Sequence, residues 1–216
     1  SGRQAILAKT VIDATGDGDV YAAAGAEYEH IPYHIGLVSR IGNLPKGSNQ
    51  GVPASKKPRH LGSITPIDDV NWVNMHGPTT DALDVRELSR LEMNHRRQIW
   101  KQVERIREKP GYEDVYLVET APQIGVRISR LLDGVKQLTY KGVESGQRWD
   151  DCIGWSGDWT GTDFEWQIPY GALVPKKVDN ILVAGRCLSA EPKMADLIRV
   201  IPPCFVTGHA AGVGAA

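Results

Sequence analysis

The sequence predicts an α/β (α+β) chain of two lobes, one built from both chain ends and the other inserted between them. Two apolar runs that end in Ala and Gly define the first lobe: VIDATG at 11–16 and ILVAGR at 181–186. Strands this apolar are usually covered on both faces, as in a parallel sheet. Ligands of such sheets sit beyond the carboxyl ends of the strands, so Gly16 and Gly185 are expected on one rim. The third observation is an amphipathic helix of roughly 25 residues in mid-chain, set among short β-like segments. The boundaries that follow are 1–29 and 176–216 for the first lobe and 30–175 for the insert.

Each element has its own justification. AILAKTVIDAT at 5–15 reads as a buried strand, because β-branched residues run into small ones before Gly16. The Ala-rich VYAAAGAEYE at 20–29 reads as a short helix with Gly25 as its cap. GLVSRIGNL at 36–44 alternates as a strand, and PKGSNQGVPASKKPRHLG at 45–62 reads as a loop. From Thr80 the residues Leu88, Leu91, His95, Ile99, Val103 and Ile106 recur at helical spacing, which makes His95 structural. Asp81 and Asp84 suit the positive start of that helix and Arg105, Arg107 and Lys109 its negative end, before Pro110-Gly111 stops it. DVYLVET at 114–120, KQLTY at 136–140, WQIPYG at 166–171 and VDNILVAGR at 178–186 read as further strands. CFVTGHAAGVGAA at 204–216 reads as a helix whose small residues Gly208, Ala211, Gly212 and Gly214 allow close packing.

Composition narrows the function classes. A formal charge of -1 on 216 residues gives no broad field for nucleic acid or an anionic membrane. No apolar run reaches the roughly 18–20 residues that a membrane helix needs. Cys152, Cys187 and Cys204 form no C-x-x-C pair, which disfavours zinc or a disulfide framework and suits a reducing, cytoplasmic location. No metal site is expected.

The turn after the first strand holds three carboxylates, Asp13, Asp17 and Asp19, around Gly16 and Gly18. As a dinucleotide fingerprint it is incomplete, since Gly16-x-Gly18-x-x-Tyr21 lacks the third glycine. DGDV at 17–20 also has the outline of a haloacid-dehalogenase phosphatase loop, in which Asp17 would attack phosphorus beside magnesium. Thr15-Gly16 separate that loop from its strand, and no later acidic pair follows. Near the other end, Pro202 and Pro203 suit the first turn of a helix. Its positive end would favour negative charge beside Gly185 and Arg186, as on a reduced flavin.

AKTVIDATGDGDVYAAAGAEYE, ETAPQIGVRISRLLDG and IPYGALVPKKVDNILVAGRCLSA with IRVIPPCFVTGHAAGVGAA, in that order, resemble the FAD-dependent oxidoreductases of the glutathione-reductase-like superfamily. The resemblance covers most of the chain and implies a Rossmann-like FAD-binding lobe made from the two ends, with a substrate or cap lobe over the isoalloxazine ring. It implies FAD as cofactor, held by Ala14, Thr15, Gly16, Asp17, Gly185, Arg186, Ser189, Arg199 and Cys204. Relatives open on a G-x-G-x-x-G turn for the ADP half. This sequence resembles the part after that turn, so it is expected to be a C-terminal portion or subunit served by an N-terminal FAD-binding segment or companion chain. Relatives also tend to carry an acid where Ile128 stands.

A flavin performs the redox step while the protein positions a small organic substrate and supplies a base. His76 and His209 are the candidate catalytic bases, with His34 a third. Asn74, Arg127 and Arg130 are candidate substrate ligands, arginine offering a planar fork for carboxylate or phosphate. An internal ion pair with Asp133 or Glu119 is the plainer role for the two arginines. Trp149, Trp155, Trp159 and Trp166 either stack on a flat ligand or close a small core. The functional expectation is hydride transfer from an unknown small molecule. Its alternatives are a non-catalytic scaffold chain of a flavoprotein and, last, the Asp17 phosphatase. A homo-oligomer is compatible with all three.

Overall fold

The computed structural model describes residues 4–45, 61–67, 69–157 and 164–216. In chain order the strands are β1 (Val11–Asp13), β2 (Tyr28–His30), β3 (Tyr33–His34), β4 (Val38–Gly42), β5 (Ser63–Ile64) and β6 (Asn71–Asn74). They continue as β7 (Thr79–Thr80), β8 (Tyr116–Thr120), β9 (Arg130–Leu132), β10 (Cys152–Gly157), β11 (Glu165–Pro169) and β12 (Ile181–Val183). The helices are α1 (Asp19–Ala23), α2 (Val85–Arg107), α3 (Tyr140–Glu144), α4 (Ala195–Ile198) and α5 (Ile201–Ala215). Helix and strand are mixed throughout, as expected for an α/β or α+β chain.

The residues form two compact units, 1–32 with 127–216 and 33–126. The sequence reading drew the insert from 30 to 175, whereas 127–157 and 164–175 lie with the chain ends. The local pairing gives the reason: β2 pairs antiparallel with β9, and Gly154 of β10 lies against Val206 of α5.

In the first unit, β1 pairs parallel with β12, Val11 opposite Ile181 and Asp13 opposite Val183. Tyr21, Leu132, Ile181, Val183 and Cys187 form the core beside this pair. The expected buried strand over 5–15 is shorter and largely exposed: only Val11–Asp13 meet β12, and Ile6, Leu7, Val11 and Ile12 are all exposed. The expected helix over 20–29 ends at Ala23, where Gly25 N–H bonds to Ala22 O and Ala26 N–H to Tyr21 O. That Schellman pairing releases Tyr28–His30 to form β2. KQLTY is not a strand: Leu138 makes an isolated bridge to Ala190, and the Thr139 side chain caps α3.

In the second unit, β5-β6-β4-β8 form a four-stranded antiparallel sheet. Asp84 caps α2 by accepting the N–H groups of Arg86 and Glu87, so the helix starts at Val85 and Thr79–Thr80 pair with β3 instead. The 23-residue helix is about 34 Å long at 1.5 Å per residue. Its buried Val103 and Ile106 pack with Ile41, Val73 and Val115 of the sheet side. Leu91 and Ile99 meet Ile35, Leu37 and Ile124. His95 is buried on this stripe with Nε2 3.0 Å from the Ile35 carbonyl, the structural role its spacing predicts. The loop read over 45–62 lies mostly outside the described residues.

Candidate functional site

The turn behind β1 is organised by Asp13, one of the three carboxylates that the sequence places around Gly16 and Gly18. Its carboxylate is fully buried and accepts four hydrogen bonds, from Thr15 N–H at 3.0 Å, Thr15 Oγ1 at 2.7 Å, Val20 N–H at 3.0 Å and Tyr21 N–H at 2.8 Å. Thr15 Oγ1 accepts from Asp19 N–H at 3.1 Å. The first three N–H groups of α1 are thus satisfied from the strand end, although the N-cap position holds Gly18 with no side chain. The signal for this was an acid closing an apolar strand just before a helix.

Asp17 is the second hub. Ser129 Oγ donates to its Oδ1 at 2.6 Å, and Arg186 Nη2 pairs with its Oδ2 at 3.0 Å. Arg130 Nη1 donates to the Asp17 carbonyl and to Asp19 Oδ1, both at 2.7 Å. Asp17 and Asp19 are therefore tied to Ser129, Arg130 and Arg186. Arg130 pairs with Asp19 rather than with Asp133 or Glu119, and its guanidinium lies 5.2 Å from the Tyr28 ring centroid. Among the described residues no group of three metal-ligating side chains occurs.

Because β1 and β12 are parallel, their following turns emerge side by side. Ala184 N–H donates to Asp13 O at 2.9 Å. Gly16 and Gly185 both have left-handed backbone, with φ of 78° and 85°, a region that glycine enters without steric cost. A Cβ on Gly16 would stand 2.2 Å from Arg186 Nη1, so the glycine is what lets Arg186 reach Asp17. A Cβ on Gly185 would meet nothing within 4 Å. Gly185 is thus left-handed beside open space, and its N–H donates to Thr207 Oγ1 of α5 at 3.1 Å.

The other sequence candidates divide clearly. Ala14 and Thr15 are exposed at the rim. Cys204 sits half-buried in the first turn of α5, its thiol pushed up by burial and opposed by the Arg186 charge. Arg199 is paired with Asp196 at 2.7 Å. Ser189 is fully buried and accepts Gly134 N–H at 3.1 Å, so its hydroxyl serves the fold. His209 is exposed on α5, and Arg127 is half-buried. In the other unit, His76 is exposed, Asn74 is half-buried at the end of β6, and exposed His34 has Nδ1 3.3 Å from Gly77 O. Trp166 is core, Trp155 is 46 % exposed under Arg148, and Trp149 lies beside Lys136; Trp159 lies outside the described residues. Ile128 is buried and apolar, so the acid that the resemblance implies at this position is missing. Gly208 and Gly212 face open space rather than a packed neighbour, whereas Ala211 is buried and Gly214 lies against Tyr170.

A family model described as FAD dependent oxidoreductase matches residues 1–32 and 52–216. The chain belongs to the FAD dependent oxidoreductase family. No curated protein and no solved structure matches it. The family match takes in β1, its turn, β9, β12 and α5, the elements that build the rim. FAD is accordingly the cofactor of this FAD dependent oxidoreductase, and the rim offers two features that fit such a group. Gly185 leaves room for a flat ligand to approach backbone, and Arg186 Nε is a buried donor with no partner. Buried atoms without a partner call for an explanation such as a ligand or water; His95 Nδ1, Arg130 Nε, Ser156 Oγ and Trp166 Nε1 share that state among the described residues, and Arg186 Nε is the one beside Gly185.

Proposed function

We propose that this chain supplies the flavin-facing half of the FAD site and the substrate lobe of an oxidoreductase that removes hydride from a small organic molecule. The observation that carries the reading is the open, left-handed Gly185 beside the unpartnered Nε of Arg186, at the carboxyl end of a parallel strand pair. Ligands of open parallel sheets bind at such ends. Ala14, Thr15, Gly16 and Asp17 line the same rim, and Asp17 holds the Arg186 guanidinium in place. Cys204 and the start of α5 lie on the Arg186 side. FAD, when bound, supplies the hydride acceptor.

The chain's own part is to bind and to move a proton. His76 and His209, both exposed, are the proposed bases, and Arg127 and Asn74 the proposed substrate contacts. Arg130 is given a positioning role through Asp17 and Asp19. The sequence holds no G-x-G-x-x-G turn, so the ADP half is assigned to a separate FAD-binding segment or companion chain. Apolar surface supports such a cover: Leu7 is 100 % exposed, and Ile201, Phe205 and Val213 are exposed on α5. A helix apolar all round is normally buried. Three free cysteines suit a cytoplasmic setting.

FAD titration followed by absorbance at about 450 nm tests the reading. Perturbed flavin bands with the wild-type chain, lost in Gly185→Val, are expected. Unperturbed bands at every FAD concentration would favour the scaffold role instead.

A further inference from the structure

Among the described residues, the sheet of the 33–126 unit has one face covered by α2 and one open. Ile41, Val73 and Leu117 turn toward Val103 and Ile106 of α2. Directly paired residues on neighbouring strands point to the same side, and the register runs Ser63 to Trp72, Trp72 to Arg40 and Arg40 to Glu119. One row therefore crosses the opposite face. The register slips between Arg40 and Ile41, leaving Val118 as an extra residue on β8. Such a bulge bends its strand, and Val118 is exposed beside Glu119.

This row has the parts of a small-molecule site. Trp72 is 39 % exposed. Arg40 Nη1 donates to Glu119 Oε1 at 2.9 Å, with both side chains about half exposed. A cavity of about 440 Å³ is lined by Arg40, Thr65, Pro66, Ile67, Val70 and Trp72, within the roughly 300–1,000 Å³ of ligand pockets. Thr65 is already committed, its hydroxyl donating to Val70 O at 2.7 Å and accepting from Ile67 N–H at 3.2 Å. Polar recognition then falls to Arg40, which lines the cavity, and to Glu119, which lies outside the lining but is held beside it by the ion pair.

The pair selects the ligand class. As a unit it is neutral, with donors on one member and acceptors on the other. A charged ligand would be attracted by one member of the pair and repelled by the other. A wholly apolar ligand would cover donors and acceptors and leave them unpaired, which is costly. A ring with one C–H face and a rim of hydroxyls satisfies both, since each hydroxyl donates and accepts and the indole offers a flat apolar surface. We propose that the open sheet face of the 33–126 unit binds a neutral pyranose sugar, its C–H face on Trp72 and its rim hydroxyls on Arg40 and Glu119. The proposal goes beyond the flavin reading, because this binding needs no flavin, and its failure leaves that reading standing.

The test is titration of the whole chain, followed by amide chemical shifts, with glucose, galactose, mannose and a β-linked disaccharide. The wild-type chain is compared with Trp72→Ala, Glu119→Gln and the control Trp100→Ala, an exposed tryptophan of α2. Saturable binding is expected for at least one sugar, weakened roughly tenfold in the first two variants and unchanged in the control. Disaccharide-only binding assigns the site to a glycan terminus, and monosaccharide binding to a free sugar; both support a pyranose site. Absence of saturable binding by all four sugars overturns it, as does undiminished binding by Glu119→Gln. The second variant keeps the test sound if Trp72→Ala fails to fold.

Discussion

Gly16 and Arg186, 170 residues apart in the chain, touch so closely that a methyl group on the glycine would stand 2.2 Å from the arginine Nη1. The contact exists because β1 and β12 run parallel and end together. Gly185 shares the left-handed backbone but has open space where its side chain would be. The two glycines should therefore respond differently to alanine. Each substitution carries a backbone cost of about 1–3 kcal/mol, and Gly16→Ala adds displacement of Arg186 from Asp17. Urea denaturation should show the larger loss for Gly16→Ala. Flavin binding should suffer in both.

Asp13 should prove a stability residue. Asp13→Ala strands the Val20 and Tyr21 N–H groups and both Thr15 donors. A stranded buried donor costs about 1–3 kcal/mol, so a loss of about 3 kcal/mol or more is expected in chemical denaturation. Asp13→Asn should recover part of it, since one oxygen still accepts.

The chain should lose stability in alkali. Burial, with a smaller contribution from Asp13, pushes the Cys187 thiol up to about 12. Burial raises the Tyr21 phenol as well. In the unfolded chain these groups ionise near pH 9 and 10, so there the unfolded state releases protons that the folded state keeps. Stability is then full below pH 9 and falls toward pH 12, by at most about 1.4 kcal/mol per pH unit per group. Melting temperatures measured from pH 8 to 11 check this, and Cys187→Ala should flatten the first part of the fall.

Asp17 should behave as a tether and not as a nucleophile. Asp17→Asn should cost about 1 kcal/mol through its partly buried ion pair and the Ser129 hydrogen bond. Magnesium added with p-nitrophenyl phosphate should release no phosphate from the wild-type chain.

The strand-end glycines, the long helix and the family motifs were legible because each is a local pattern: an apolar run, a 3.6-residue period, a small-residue turn. Where each polar side chain spends its hydrogen bonds was not legible. Ser189 sits in a family motif yet holds Gly134, and Arg130 serves Asp17 and Asp19 across more than 110 positions. Such pairings depend on three-dimensional neighbours. The lobe boundary moved for the same reason, because β9 is claimed by β2 and β10 lies on α5. Asp13 looked like one of three equivalent acids until burial set it apart.

The central claim is that the rim at Gly16, Gly185 and Arg186 faces the flavin end of FAD. Amide chemical shifts of the labelled chain, recorded with riboflavin and separately with ADP, test it most directly. The account predicts shifts at Ala184, Gly185 and Arg186 with riboflavin that Gly185→Val abolishes, and none there with ADP. Shifts at those three residues with ADP alone, or none with riboflavin, would contradict it.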